Sequence, residues 1–234
     1  MHKTLLLMLS LIWASTAFAH SNELVACIDD HPPYQILAEK PYGSHITALE
    51  VLANVLNKQL KFIESPNFAR CVAMLKQGRA DVVAGLGPTP ERNKFAFYTP
   101  FKISDPLVVI SKKGITINTY DDFRGKIIGI ARGTSYFPRF DKDNELNKIS
   151  MQSVRIGFSL LLKDRIDLFM LSPANFDTFS KDITDANLKV SPINLKELRD
   201  KETAFGFSKA HKLDLTNDEI AEKVRTAYQT GRFK

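Results

Sequence analysis

Ala80-Asp81-Val82-Val83-Ala84-Gly85-Leu86-Gly87-Pro88-Thr89-Pro90-Glu91-Arg92 reads as a buried strand that runs into a turn and then a helix. The apolar run follows Gly78-Arg79 and ends in two glycines. Thr89 then suits an N-cap, Pro90 the first helical position and Glu91 the first turn. Two features of this turn suit an anion: backbone N–H groups freed by the glycines, and the guanidinium of Arg92. The reading places this turn on the wall of a ligand cleft.

Upstream, Leu24-Val25-Ala26-Cys27-Ile28 is a short apolar run typical of a buried strand. Asp29-Asp30-His31-Pro32-Pro33-Tyr34 ends it, because two prolines forbid both a helix and a central strand. These side chains therefore sit in a loop at a strand's C-terminal end, the edge where open α/β sheets bind ligands. A helix begins at Tyr42-Gly43-Ser44 and carries Ile46, Leu49, Leu52, Ala53 and Leu56 on one face. Leu60 to Ile63 is the next strand. Pro66-Asn67 opens a helix through Phe68, Val72 and Leu75 that Gly78 stops. The order β-α-β-α-β predicts a parallel sheet with helices on its faces.

Downstream, Phe95 to Phe101 and Pro106 to Ser111 read as extended, and Asp121 to Arg124 as a helical turn. Lys126 to Ile130 is a buried strand that enters Arg132-Gly133-Thr134-Ser135, with a helix or turn from Tyr136. Val154 to Lys163 is an amphipathic helix, and Ile166 to Leu171 a buried strand entering Ser172-Pro173-Ala174-Asn175 and another helix. Asn187 to Val190 and Glu202 to Phe207 are extended, and Leu215 to Glu219 caps a last helix through Tyr228. The second half echoes the first. Met74 to Asp81 recurs, one residue shorter, as Leu161 to Asp167, each copy a helix end, a basic turn and a strand.

Composition narrows the function. Met1-His2-Lys3, the apolar Leu5 to Trp13 and the small-x-small Ala17-Phe18-Ala19 form a cleavable signal peptide over residues 1–19, so the mature chain begins at His20 and is exported, in a two-membraned cell to the periplasm. Removing it takes away only Lys3 among the charged residues, leaving 31 basic against 26 acidic side chains of interleaved sign. That is a solvated surface, with no basic run or aromatic–basic ladder for nucleic acid. No His/Cys cluster has metal spacing, so neither a metal nor a cofactor is expected. Cys27 and Cys71 are the only cysteines; in an exported chain an even count suggests a disulfide, two buried thiols being the alternative.

Several motifs, each weak alone, occur in an order and spacing that carry a resemblance. They are the strand leading to His31-Pro32-Pro33-Tyr34, Leu75 to Val83, Gly87-Pro88-Thr89-Pro90-Glu91-Arg92, Tyr98-Thr99-Pro100-Phe101, Gly125 to Gly129 running to Gly133-Thr134-Ser135, and Asp164-Arg165-Ile166-Asp167. With these the chain resembles the bacterial extracellular solute-binding proteins of family 3, the amino-acid-binding type of periplasmic binding protein. The resemblance implies an α/β, two-lobed, type II periplasmic-binding-protein fold. Each lobe is a mostly parallel sheet flanked by helices, and the chain crosses between them twice. The first lobe would take residues 20–104 and 192–234, the second 105–191.

The resemblance also implies a site. Arg92 would grip a ligand carboxylate, with Gly87 and Thr89 beside it on the same turn. Ser135 or Thr134 would hold the same group from the opposite lobe, aided by N–H donors at a helix start. His31, Tyr34 and Phe68 would wall the pocket. Ser172 stands where relatives that bind α-amino acids carry an acid for the ligand ammonium, and Gly85 and Gly87 where relatives often carry hydroxyls. Asp29 or Asp30 is left as a source of that charge, Asp30 being taken for the site. Cys27 and Cys71, at the end of the first strand and on the second helix, are neighbours near the cleft in such a lobe and would be disulfide-bonded. The implied function is capture of a small polar solute, carboxylate-bearing, by a monomer that serves an ABC-type transporter permease or a sensor. Two alternatives stand beside it: an exported cyclohexadienyl or arogenate dehydratase-like enzyme on the same fold, using His31, Asp29 or Asp30, and a sensor or scaffold with a degenerate cleft.

Overall fold

A computed structural model describes residues 22–112, 114–172, 174–198 and 201–233. The signal peptide expected over residues 1–19 and the mature start expected at His20 lie outside the described residues.

The strands β1 (Glu23–Asp29), β2 (Gln59–Ser65), β3 (Val82–Ala84), β4 (Ala96–Ile103) and β10 (Glu202–Ser208) form one sheet in the order β2-β1-β3-β10-β4. β1 is parallel to β2 and β3, and β10 is antiparallel to β3 and β4, so β10 alone is reversed. The second sheet repeats this plan. β5 (Val108–Ser111), β6 (Ile127–Ala131), β7 (Asn147–Met151), β8 (Leu168–Leu171) and β9 (Lys189–Pro192) take the order β7-β6-β8-β5-β9, and only β5 is reversed. The sequence reading misses β7. Its residues Asn147-Lys148-Ile149-Ser150-Met151 lie at the sheet edge, half in solvent, and lack the apolar run that marks a buried strand.

The helices α1 (Ser44–Leu56), α2 (Phe68–Lys76) and α6 (Asn217–Gln229) cover the first sheet. On one face Leu49, Leu52 and Leu56 of α1 and Ile220 and Val224 of α6 pack with Leu24, Ile28, Phe205 and Phe207. On the other, Cys71, Met74 and Leu75 of α2 pack with Cys27, Val83 and Leu86. Asn67 caps α2 by accepting the Arg70 N–H at 3.0 Å. Thr216 and Glu219 form a capping box on α6. The second sheet is covered by α3 (Pro138–Lys142), α4 (Val154–Leu162) and α5 (Ala174–Asp185).

The internal echo has a physical counterpart. Asp81 precedes β3 and Asp167 precedes β8, and each fastens the start of the parallel strand beside it. Asp81 bonds Val25 through both its own N–H (2.8 Å) and its Oδ2 (2.9 Å). Asp167 does the same to Ile127, at 2.8 and 2.7 Å. A carboxylate here supplies an acceptor for an N–H near the start of the neighbouring strand, that of Val25 in β1 and of Ile127 in β6.

Cys27 and Cys71 are disulfide-bonded. The bridge is buried, tying α2 to β1 within the core beneath that helix. The chain passes from the first sheet to the second between Ile103 and Val108, and returns between Pro192 and Glu202. The two passages are joined where the Ser104 N–H donates to Lys201 O at 2.8 Å and the hydroxyls of Ser104 and Thr203 meet at 3.0 Å.

Candidate functional site

The loops that leave β1, β3, β6 and β8 all open on one cavity of about 1080 Å³. These are the C-terminal ends of the parallel strands, where helix N-termini and free loop backbone collect. Of the ten residues expected to bind, Arg92, Ser135, Thr134, Thr89, Gly87, Phe68, His31, Tyr34 and Ser172 line it. Asp30 does not. Its Oδ2 lies 3.6 Å from Arg155 Nε of α4, while the preceding residue, Asp29, lines the cavity. In a strand successive side chains point to opposite sides, so one residue of register decides which aspartate enters.

Arg92 sits where both halves meet. Its Nη1 donates to Gly87 O at 2.8 Å on its own turn, and its Nη2 to Gly133 O on the facing loop. Two of the five guanidinium N–H groups are thus engaged, leaving three. The expected helix start shrinks here to one 3₁₀ turn, Arg92–Lys94, with the Thr89 hydroxyl accepting the Arg92 N–H at 3.1 Å. β4 must begin at Ala96 to pair with β10, which leaves no length for a longer helix.

The facing loop also departs from expectation. Thr134 N–H is spent on Ala131 O at 3.1 Å, and the Ser135 hydroxyl donates to Asp141 Oδ2 at 2.6 Å. The helix starts at Pro138 rather than Tyr136, because a residue before proline is driven out of the helical region; Phe137 is extended at φ −159°, ψ 153°. Gly133 has φ +81°, and a Cβ there would come within 2.8 Å of the Ala69 backbone on α2. The two halves therefore touch through bare backbone.

Residues that sequence reasoning left out complete the far wall. His45 of α1 reaches the cavity by stacking on Tyr34, with ring centroids 4.6 Å apart, and packing edge-on to Phe101. Gly85, at φ +79°, makes room for it, since a Cβ there would lie 2.8 Å from His45 Cε1. A glycine in place of a hydroxyl residue thus follows from the histidine behind it. The Tyr34 hydroxyl donates to Asp105 at 2.7 Å and also meets Ser172 Oγ from the second sheet. Lys102 pairs with Asp105 at 3.0 Å. Burial pushes the Asp105 carboxyl up, but the Tyr34 and Lys102 bonds outweigh it and hold the group below its usual range.

Asp29 is in a different state. It is 4% exposed, its N–H donates to Gln35 Oε1 at 3.3 Å, and its carboxyl accepts the Phe68 N–H at the start of α2. Its Oδ1 is buried with no hydrogen-bond partner among the described residues. Burial, then the charge of Asp30, raise its pKa to about 7 against the pull of the Phe68 N–H. Burial lowers His45 to about 3 and His31 to about 4, so both rings are neutral at pH 7. His45 Nδ1 is likewise buried without a partner. Among the described residues no group of three or more His, Cys, Asp or Glu is placed to hold a metal ion.

Comparison with known proteins agrees with this geometry. Residues 24–231 match the family described as bacterial extracellular solute-binding proteins, family 3. The arginine-binding extracellular protein ArtP of Bacillus subtilis (strain 168) is 25% identical over 265 residues, 99% of each chain. The ABC transporter arginine-binding protein 1 of Escherichia coli (strain K12) is 30% identical over 143 residues, 58% of this chain and 57% of that protein. Among solved structures, an ancestral arginine-binding protein bound to arginine has a TM-score of 0.71 at 22% identity, covering 91% of this chain and 93% of that one. Holo ArgBP from T. maritima has a TM-score of 0.70 at 20% identity, covering 90% and 91%. These structures share the type II periplasmic-binding-protein fold. The chain belongs to the bacterial extracellular solute-binding proteins, family 3, and its function is to bind a solute.

Proposed function

We propose that this solute-binding protein takes a small carboxylate-bearing solute, an amino acid or a close relative of one, into the cavity and delivers it to a membrane transporter or a sensor, without chemistry. The observation that carries this is Arg92, a guanidinium set between the two halves with three N–H groups still to give. A planar fork takes both oxygens of a carboxylate, and few other groups do. Relatives named for arginine support a ligand of the amino-acid class. Gly87 leaves open space beside the fork, since a Cβ there would meet nothing within 4 Å. Residues 20–104 and 192–234 form one lobe and 105–191 the other, hinged where Ser104 meets Lys201 and Thr203. A solute held by Arg92 from one lobe and by the 133–135 loop from the other favours the closed arrangement, because only there does it contact both. The mature protein starts at His20, acts outside the cytoplasmic membrane and is a monomer.

A thermal-shift screen of the mature protein, refolded to strip retained solute, tests this reading. The panel comprises amino acids, other small carboxylates, amines, sugars and peptides, run on wild type and Arg92→Ala. A solute at 100 times its Kd adds about 2.7 kcal/mol. For a chain of this size that raises Tm by roughly 5–11 °C. The expected result is a shift with a carboxylate-bearing solute that Arg92→Ala abolishes. A shift of equal size in both proteins rejects the role of Arg92.

A further inference from the structure

Residues 134–137 belong to no helix or strand, so no ladder of backbone bonds sets their place. The strip from Gly133 to Tyr136 is fastened from other parts of the chain instead. At one end Arg92 Nη2 donates to Gly133 O. At the other the Lys201 ammonium donates to Tyr136 O at 2.7 Å. Asp141 of α3 holds the middle, accepting the Ser135 hydroxyl on Oδ2 at 2.6 Å and the Tyr136 N–H on Oδ1 at 3.0 Å. The Tyr136 hydroxyl in turn accepts the Ala131 N–H, at the end of β6, at 3.1 Å.

Lys201 differs from the other fixtures in where it stands. It lies on the return passage between the sheets, and its own carbonyl accepts the Ser104 N–H of the outgoing passage at 2.8 Å. One residue thus touches both passages and the strip. It lines the cavity half-buried, with its ammonium 5.8 Å from the centre of the Phe137 ring. Burial lowers its pKa against the pull of Asp141 and Glu197. A cation taken partly out of water needs an acceptor, and the Tyr136 carbonyl supplies it through a charge-assisted bond.

We propose that Lys201 is a positioning residue for solute binding: it pins the 133–136 strip to the hinge, so that the strip meets the solute in step with the two passages. This rests on the strip holding the solute opposite Arg92. A turn of the passages is passed by Lys201 to Tyr136, and by Asp141 from Tyr136 to the Ser135 hydroxyl.

Amide exchange in the solute-free protein tests the pin directly. Lys201→Met keeps the length of the stem and removes the charged donor. In it the Tyr136 N–H should exchange at least about 10-fold faster than in wild type, the lower end for loss of a hydrogen bond to a charged group. Amides of β1, on the other sheet, should not change. Lys201→Arg keeps a charged donor within reach, and its rate should stay within about threefold of wild type. Unchanged exchange in Lys201→Met overturns the inference, as does an arginine variant that exchanges like the methionine one. Lys201→Gln takes the place of Lys201→Met if that variant does not fold. Calorimetric titration with L-arginine, chosen because relatives are named for it, reads the consequence for binding. Affinity should fall roughly 2- to 30-fold in Lys201→Met and recover in Lys201→Arg. Equal affinity in wild type and Lys201→Met overturns the inference even where exchange quickens. Should wild type not bind arginine, exchange alone decides the inference, and the Arg92→Ala comparison across the solute panel decides the reading that it rests on.

Discussion

Gly85 shows how a single residue serves the site. It combines a positive φ with a Cβ position already filled by the His45 ring, which is itself wedged between Tyr34 and Phe101. Gly85→Ala should lose about 1–3 kcal/mol of stability from backbone strain and displacement of the ring, read as a lower urea midpoint. Arg92 was legible in the sequence because Thr-Pro-Glu-Arg after a glycine turn marks a strand-to-loop edge. Its bond to Gly133, 41 residues away, was not, since nothing local announces a carbonyl on another sheet. His45 was invisible for the same reason. In its own helix it is one polar residue near the N-terminus, and only the loop of Tyr34 folding over it brings its ring to the cavity.

At the scale of elements, the repeated aspartates and the disulfide carry testable weight. Asp81→Ala strips the Val25 and Lys212 N–H groups of their acceptor and should cost about 2–4 kcal/mol. Asp167→Ala strips only the Ile127 N–H and should cost less; chemical denaturation of both variants compares them. Replacing both Cys27 and Cys71 by alanine frees a 44-residue separation. The chain-entropy estimate is a loss of up to about 4 kcal/mol, and because the bridge lies in the core beneath α2, solute affinity should change little. Calorimetric unfolding and titration of the same protein separate the two effects. The strand–helix alternation behind these elements was readable from apolar runs and caps. β7 was not, because an edge strand needs little apolar character, and the 3₁₀ turn at Arg92 was overestimated because sequence signals where a helix starts but not how soon the next strand must begin.

Across the whole molecule, buried titrating groups set the pH dependence of stability. His45 stays neutral to about pH 3 and His31 to about pH 4, whereas both bind a proton below about 6.5 once unfolded, so their burial costs stability as pH falls through that window. Asp29 acts oppositely. Its folded pKa of about 7 exceeds the 3.8 of the unfolded chain, so its contribution is present at low pH and is lost as pH rises toward 7. Between about pH 4 and 6.5 the two histidines outweigh the one aspartate by one proton, and these three groups make stability rise with pH at about 1.4 kcal/mol per unit. Asp29→Asn should steepen that rise and His45→Gln flatten it, measured by urea unfolding at several pH values with the solute removed. What the sequence alone determined was the alternation of strands and helices, the parallel direction it imposes, and the loops, Arg92 among them, that gather at the strands' C-terminal edge. All of these follow from patterns within a dozen residues. What only the tertiary structure decided was which aspartate faces the cavity, that its Oδ1 is buried with no partner among the described residues, and that Arg92 and Tyr34 reach across to the other sheet. Those depend on strand register and on groups brought together from distant parts of the chain, where hydrogen bonding and desolvation act through space and leave no local trace.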